Sequence, residues 1–179
     1  MAEQCKIDES NIFIKVPCFL TGKLVLDTDR ERIRQKIAKF LVDEKGFKIS
    51  DFQLDREIYV EANNEKIVAF VDLVVRIDDK SLMAIRCAPG SVITREAGTV
   101  AAARLLEEDY IIPWAVQANL FDASFIDVKR KKAVGYGWES IPTRAELIKM
   151  TSANWPPPKL PEERIPLERQ ILYSYDTHG

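Results

Sequence analysis

The sequence predicts an α/β protein with one mixed sheet, and three observations lead to that class. Helix and strand signals alternate along the chain in the order helix, three strands, helix, two strands. A length of 179 residues fits one domain with a sizeable core. Apolar residues make up 46% of the chain and charged residues 30%, as in an ordinary globular protein.

The N-terminal part is predicted to contain an irregular hairpin followed by a helix. Residues Asn11–Asp27 alternate loosely in hydrophobicity around Thr21-Gly22, which is typical of two strands and a turn. Thr28 to Glu31 match a helix capping box, and Gly46 is the expected stop of that helix. The apolar stripe between them consists of Ile33, Ile37, Phe40 and Leu41.

Three strands and a second helix are predicted in the middle of the chain. The strand-like stretches are Phe52–Glu61, Ile67–Ile77 and Leu82–Cys87. Thr94 is predicted to cap a helix that runs to Glu108. Small residues of that helix should allow close approach to the sheet: Ala97, Ala101 and Ala102.

Two further strands and two helices are predicted in the last third. The strands are Ile111–Ala118 and Ala123–Val128, and Thr143 to Glu146 match a second capping box. The run Trp155–Pro158 favours a polyproline spacer before a terminal helix from Pro161 to about Tyr175. We therefore expect residues 1–150 to form the α/β domain. Residues 151–179 should form a Pro-rich spacer and a helix docked on that domain.

Composition excludes several functional classes. A net charge of −2 and a pI near 5.6 argue against bulk attraction to nucleic acid. Three widely spaced cysteines and one histidine suggest neither a disulfide framework nor a zinc site. The N-terminus lacks the apolar core of a signal peptide, and no apolar run reaches the ~18 residues of a membrane span. We therefore expect no membrane partner and a cytoplasmic protein.

Two predicted strands outline a metal-dependent nuclease site that has only one acid. Asp72 opens the first strand, and the second runs into Ala88-Pro89-Gly90. Side chains at positions i and i+2 share a strand face, so a Glu-x-Lys pair here would place both groups beside Asp72. Ile85 and Cys87 occupy those two positions.

Four segments carry a family resemblance through their order and spacing. They are ERIRQKIAKFLVDEKGF (31–47), VDLVV (71–75), the Ala-Pro-Gly ending (88–90) and IPWAVQAN (112–119). Together they resemble the N-terminal nuclease-like domain of type I restriction enzyme R subunits, within the PD-(D/E)xK superfamily. The resemblance implies a restriction-endonuclease-like αβββαβ core whose mixed central sheet is flanked by helices.

The same resemblance implies that most catalytic positions are substituted. The family strand usually reads Glu-Cys-Lys-Ala-Pro-Gly, which puts Ile85 at the glutamate and Cys87 at the lysine. A Gln-x-x-x-Tyr signature of the next helix falls on Gly98 and Ala102, so Asp72 is the position that matches. A degenerate nuclease fold without a cofactor is therefore expected. It would act as a binding module for DNA or for protein partner subunits.

An active site built from relocated acids remains the alternative. Catalytic residues migrate between neighbouring elements in the superfamily that the chain resembles. Asp72 could therefore work with Glu57 or Glu96 as the second acid and with Arg86 or Arg95 as the cation. The chain would then be a Mg²⁺-dependent DNA endonuclease with Asp72 as metal ligand. Ordinary roles compete with this reading, because an acid such as Glu96 in a first turn complements the helix dipole.

One basic cluster stands out in the C-terminal half. It consists of Lys129, Arg130, Lys131 and Lys132. With Tyr136 and Trp138 nearby, the cluster could contact phosphates and stack on an unpaired base. A lysine-rich turn that keeps a sheet edge soluble is the competing explanation.

Overall fold

The computed structural model describes residues 14–177, and within that range the chain forms eight strands and four helices. Strands β1 (Lys15–Pro17) and β2 (Leu24–Leu26) pair as a small antiparallel sheet of their own. The predicted N-terminal hairpin is thus confirmed over these residues. Its first predicted residues, 11–13, lie outside the described range.

Helix α1 (Asp29–Asp43) begins and ends close to the predicted residues. The Thr28 hydroxyl accepts the backbone N–H of Glu31 at 3.1 Å, and Gly46 takes a φ of 74° after the last turn. The predicted capping box is only half formed. The Glu31 carboxylate pairs with Arg34 and Gln35 in place of the Thr28 backbone, because the buried Arg34 guanidinium requires a counter-charge.

The main sheet contains six strands whose spatial order is the same as their order along the chain. Neighbouring strands pair antiparallel except β5 and β6, which pair parallel. The mixed α/β sheet expected from the sequence is therefore confirmed. The strands are β3 (Phe52–Ala62), β4 (Glu65–Ile77), β5 (Lys80–Cys87), β6 (Trp114–Ala118), β7 (Ala123–Asp127) and β8 (Lys132–Tyr136).

Helices cover both faces of this sheet, which explains why β4 and β5 are buried on both sides. The remaining helices are α2 (Glu96–Leu105), α3 (Arg144–Ser152) and α4 (Ile165–Thr177). Leu73 and Ile85 face the layer of α1 and α3, whereas Val74 and Ala84 face α2 and α4. Helix α4 approaches α2 at Gly98, where a Cβ atom would lie 2.7 Å from Cγ of Tyr175.

The predicted bounds of α2 and β6 were wrong, and one strand was missed. Thr94 does not cap α2; it lies in a preceding 3₁₀ turn and donates its hydroxyl to the Ser91 carbonyl, and α2 ends at Leu105. Strand β6 begins at Trp114 instead of Ile111. Strand β8 was not predicted, because Gly135 interrupts its apolar pattern. That glycine permits close packing, since a Cβ there would lie 2.6 Å from the Ser140 Cβ.

The proline-rich segment and α4 run across the main domain. Trp155 packs edge-on against Tyr110 with ring centroids 4.9 Å apart, and the Pro158 carbonyl accepts the N–H of Ile111 at 3.0 Å. Helix α4 contributes Leu172 and Tyr173 to the core beside α2. None of the helices between residues 14 and 177 is long and apolar enough to cross a membrane.

Candidate functional site

Asp72 lies on β4 just beyond its last paired position with β5, where Leu73 faces Ile85. The carboxylate is only 2% exposed, yet both of its oxygens are engaged. Arg30 of α1 donates its Nε hydrogen to Oδ1, and the backbone N–H of Cys87 donates to Oδ2 at 2.8 Å. A guanidinium therefore supplies the charge that balances this acid.

Ile85 and Cys87 point toward the α1 layer and belong to its hydrophobic core. Ile85 is fully buried and Cys87 nearly so. Arg86 points to the opposite face, as strand alternation requires. Its Nε donates to the Phe70 carbonyl at 3.1 Å, and its guanidinium pairs with Asp176 of α4.

Burial has the largest effect on the pKa values of Asp72 and Cys87. It raises the pKa of the Asp72 carboxyl, although the Arg30 bond and the Cys87 N–H act in the opposite direction. Burial, with the Asp72 charge added, raises the pKa of the Cys87 thiol well above its ordinary value. Cys87 is therefore a neutral, buried thiol and lacks the thiolate character of a nucleophile.

A second arginine of α1 extends the charge network toward β3. The Arg34 guanidinium lies 2.5 Å from the Glu31 carboxylate and 2.6 Å from that of Asp55. Asp55 adopts a φ of 49°, between residues that pair with Val71 and Leu73 on either side of Asp72. Two arginines of one helix thus reach acids on two neighbouring strands.

The other acids proposed from the sequence make their contacts elsewhere. Exposed Glu57 accepts the Tyr59 hydroxyl at 2.6 Å, and Glu96 accepts the Ser124 hydroxyl at 2.6 Å. No described contact joins either carboxylate to Asp72. Between residues 14 and 177, no three His, Cys, Asp or Glu side chains converge in a way that could hold a metal ion.

The surroundings of Asp72 do not fit Mg²⁺. This ion takes octahedral oxygen ligands and keeps several waters, which normally requires one or two accessible carboxylates. Asp72 offers a single buried carboxylate that already accepts hydrogen bonds from Arg30 and Cys87. Ile85 adds no oxygen ligand.

The basic cluster forms the turn between β7 and β8 and is partly neutralised. Lys131 pairs with Glu168 of α4 at 2.6 Å, and Arg130 lies 3.5 Å from Asp127. Lys129 and Lys132 are exposed and have no ion pair among the described residues. The sequence predicted that this cluster would act together with nearby aromatic residues. The basic turn lies at the start of β8, whereas Tyr136 is the last residue of that strand. Trp138 packs edge-on against Phe40.

Arg30 is the site residue that sequence reasoning missed. Arg30 and Arg34 are four residues apart and so share one helix face, which is a detectable signal. Nothing in their spacing indicates that this face lies over Asp72, which is 42 positions from Arg30 in the chain. Only the packing of α1 on the sheet brings them together.

A comparison with known protein families gives a match over most of this region of the chain. The family model for the type I restriction enzyme R protein N terminus matches residues 29–142, from the start of α1 to just before α3. No curated protein and no solved structure matches the chain. Because the family model spans well over half of the 179 residues, the chain belongs to the family of the type I restriction enzyme R protein N terminus.

Proposed function

We propose that this domain is a non-catalytic member of its family. It retains a nuclease-like fold and serves as a binding module for nucleic acid or for a protein subunit. One observation carries the proposal: both oxygens of the Asp72 carboxylate already accept hydrogen bonds, one from Arg30 and one from the Cys87 N–H. Further support comes from Ile85 and Cys87, which are buried and stand where the resemblance places the family's glutamate and lysine.

The chemistry of the guanidinium explains why this site would not cleave a phosphodiester. A metal ion activates water by lowering its pKa, and it stabilises the charge that develops on the phosphate. An arginine carries a permanent charge and stays protonated, so it cannot serve as a base that activates water. Arg30 therefore replaces the charge of a metal without replacing its reactivity.

Binding requires less of the site than catalysis does. The nuclease-like fold would still present helix α1 and the loops at the ends of β5 and β6 to a ligand. With a net charge of −2, any attraction to phosphate must come from local lysines that lack acidic partners. DNA, or a partner subunit of a restriction assembly, is the ligand that family membership suggests.

We expect the purified protein to leave single- and double-stranded DNA intact in Mg²⁺ and in Mn²⁺. The reason is that no described acid joins Asp72 to form a metal site. A gel-based cleavage assay with labelled DNA measures this, with Asp72→Asn as the matched variant. Metal-dependent cleavage that disappears in Asp72→Asn would overturn the proposal and favour the relocated-acid nuclease.

A further inference from the structure

An exposed phenylalanine projects from the loop between β6 and β7. The Phe121 side chain is 88% exposed, although the loop that carries it is fixed. The Asn119 side-chain oxygen accepts the N–H groups of Phe121 and Asp122 at 2.8 and 2.6 Å. The Asn119 amide donates to the Gly90 carbonyl at 2.7 Å, which ties this loop to the end of β5.

A lysine of α1 lies beside that ring. Lys36 donates to the Leu120 carbonyl at 2.6 Å, and its Nζ lies 5.9 Å from the centre of the Phe121 ring. The same Nζ lies 5.1 Å from the centre of the Trp138 ring. No carboxylate among the described residues pairs with Lys36, so its charge is available to an anion.

A second pair of the same kind lies one turn further along α1. The Lys39 Nζ lies 5.5 Å from the centre of the Phe19 ring. Lys39 also pairs with Asp43, but both side chains are largely exposed, and such surface pairs contribute little. The Cα atoms of the two lysines are therefore about 4.5 Å apart along the helix axis.

A groove of about 400 Å³ runs between this side of α1 and the β1–β2 hairpin. Its acids already have partners, since Asp27 pairs with Arg32 at 2.7 Å and Glu31 with Arg34. Lys39 on its border pairs with Asp43, whereas Lys36 has no carboxylate partner among the described residues. Lys36 therefore gives this end of the groove a positive charge that favours an anionic ligand.

We propose that α1 and the β6–β7 loop form a binding surface for a single-stranded nucleic acid. The proposal rests on the non-catalytic binding function above. It specifies the ligand of that function and the surface that binds it. Each nucleotide offers a base with a flat π-face and a phosphate. Proteins that bind single strands meet these two groups with aromatic rings and nearby cations.

An unpaired strand fits this surface better than a duplex or a protein. A ring such as Phe121 can stack only on a base that is not stacked within a helix. A protein partner would bury Phe121 as an apolar anchor, for which any side chain of similar volume would serve. Leucine in place of Phe121 distinguishes these cases, because it keeps apolar volume and removes the aromatic face.

Fluorescence anisotropy with labelled oligo(dT) at low salt tests the proposal. We expect Phe121→Ala and Phe121→Leu to weaken binding about tenfold or more, since stacking on one ring contributes about that much. Phe121→Trp should keep the affinity. Because Phe121 is exposed, these variants should fold like the parent. Tyr59→Ala is the matched control, for it removes an exposed aromatic ring on β3, away from α1 and the β6–β7 loop.

The charge is tested separately with Lys36→Gln, which keeps a donor for the Leu120 carbonyl. We expect weaker binding and a slope of log K against log salt that is smaller by about 0.7, as for one phosphate contact fewer on a single strand. A parallel titration with oligo(U) shows whether RNA or DNA is preferred.

Three outcomes would overturn this inference. One is unchanged binding in both Phe121→Ala and Lys36→Gln. Another is full affinity in Phe121→Leu, which shows that the aromatic face of Phe121 does not stack on a base. The third is no binding of either oligonucleotide by the parent protein. None of these three results bears on catalysis. The proposal that the domain is non-catalytic is overturned only if the cleavage assay shows metal-dependent cleavage.

Discussion

Replacing Ile85 by glutamate and Cys87 by lysine should destabilise the protein by on the order of 5 kcal/mol in the presence of chelator. Ile85 is fully buried beneath α1, and Cys87 is 4% exposed. Two charges placed there lose their hydration in the folded state. Because domains are stable by only about 5–15 kcal/mol, the loss should be visible in urea unfolding.

Divalent metal should return part of that stability. The introduced carboxylate and ammonium groups would lie on the same strand face, directed toward the Asp72 side of the sheet. Arg30 must leave Asp72 before a metal can bind, so the response should be larger when Arg30→Ala is added. Metal at about 100 times its Kd should stabilise that variant by about 2.7 kcal/mol.

The matched neutral variant is Ile85→Gln with Cys87→Met, which changes packing without adding charge. We expect it to show no metal-dependent change in Tm. Equal Tm shifts in this control and in the charged variant would contradict the prediction. So would no shift in a charged variant that has folded, because Ile85 and Cys87 would then not face Asp72.

Replacing Glu168 by alanine should cost about 3–5 kcal/mol. Glu168 of α4 is 1% exposed, and it pairs with Arg104 of α2 at 2.8 Å and with Lys131 at 2.6 Å. Its removal leaves the buried Arg104 guanidinium without a counter-charge at the contact between the two helices. Thermal or urea unfolding of the full chain measures the loss.

Lys131→Ala is the control for that prediction. Lys131 is more exposed than Arg104, and its removal leaves the buried Glu168 still paired with Arg104, so it should cost about 1 kcal/mol or less. A Glu168→Ala variant as stable as Lys131→Ala would show that the buried pair is not needed to fix α4.

Local patterns were sufficient to predict most elements. The Thr28 and Thr143 caps, the long strands β4 and β5 and the order of elements are all visible in apolar periodicity and capping residues. Strand β8 was missed because Gly135 carries no side chain to mark a strand face. A side chain at position 135 would collide with Ser140, and this contact exists only in the folded tertiary structure.

The candidate site was only partly visible in the sequence. Asp72 and its two apolar neighbours followed from strand alternation and the family pattern. The roles of Arg30 and Lys36 did not, because each depends on how α1 packs. Lys36 and Phe121 are 85 positions apart and meet only because the β6–β7 loop returns to that helix.

The central claim is that Arg30 closes Asp72 to metal, and a titration with Mn²⁺ followed by electron paramagnetic resonance tests it most directly. The free-ion signal reports how much metal remains unbound to the protein. We predict that the parent protein and Asp72→Asn give the same titration, with no stoichiometric site in either. One tightly bound Mn²⁺ per chain in the parent, lost in Asp72→Asn, would contradict the claim.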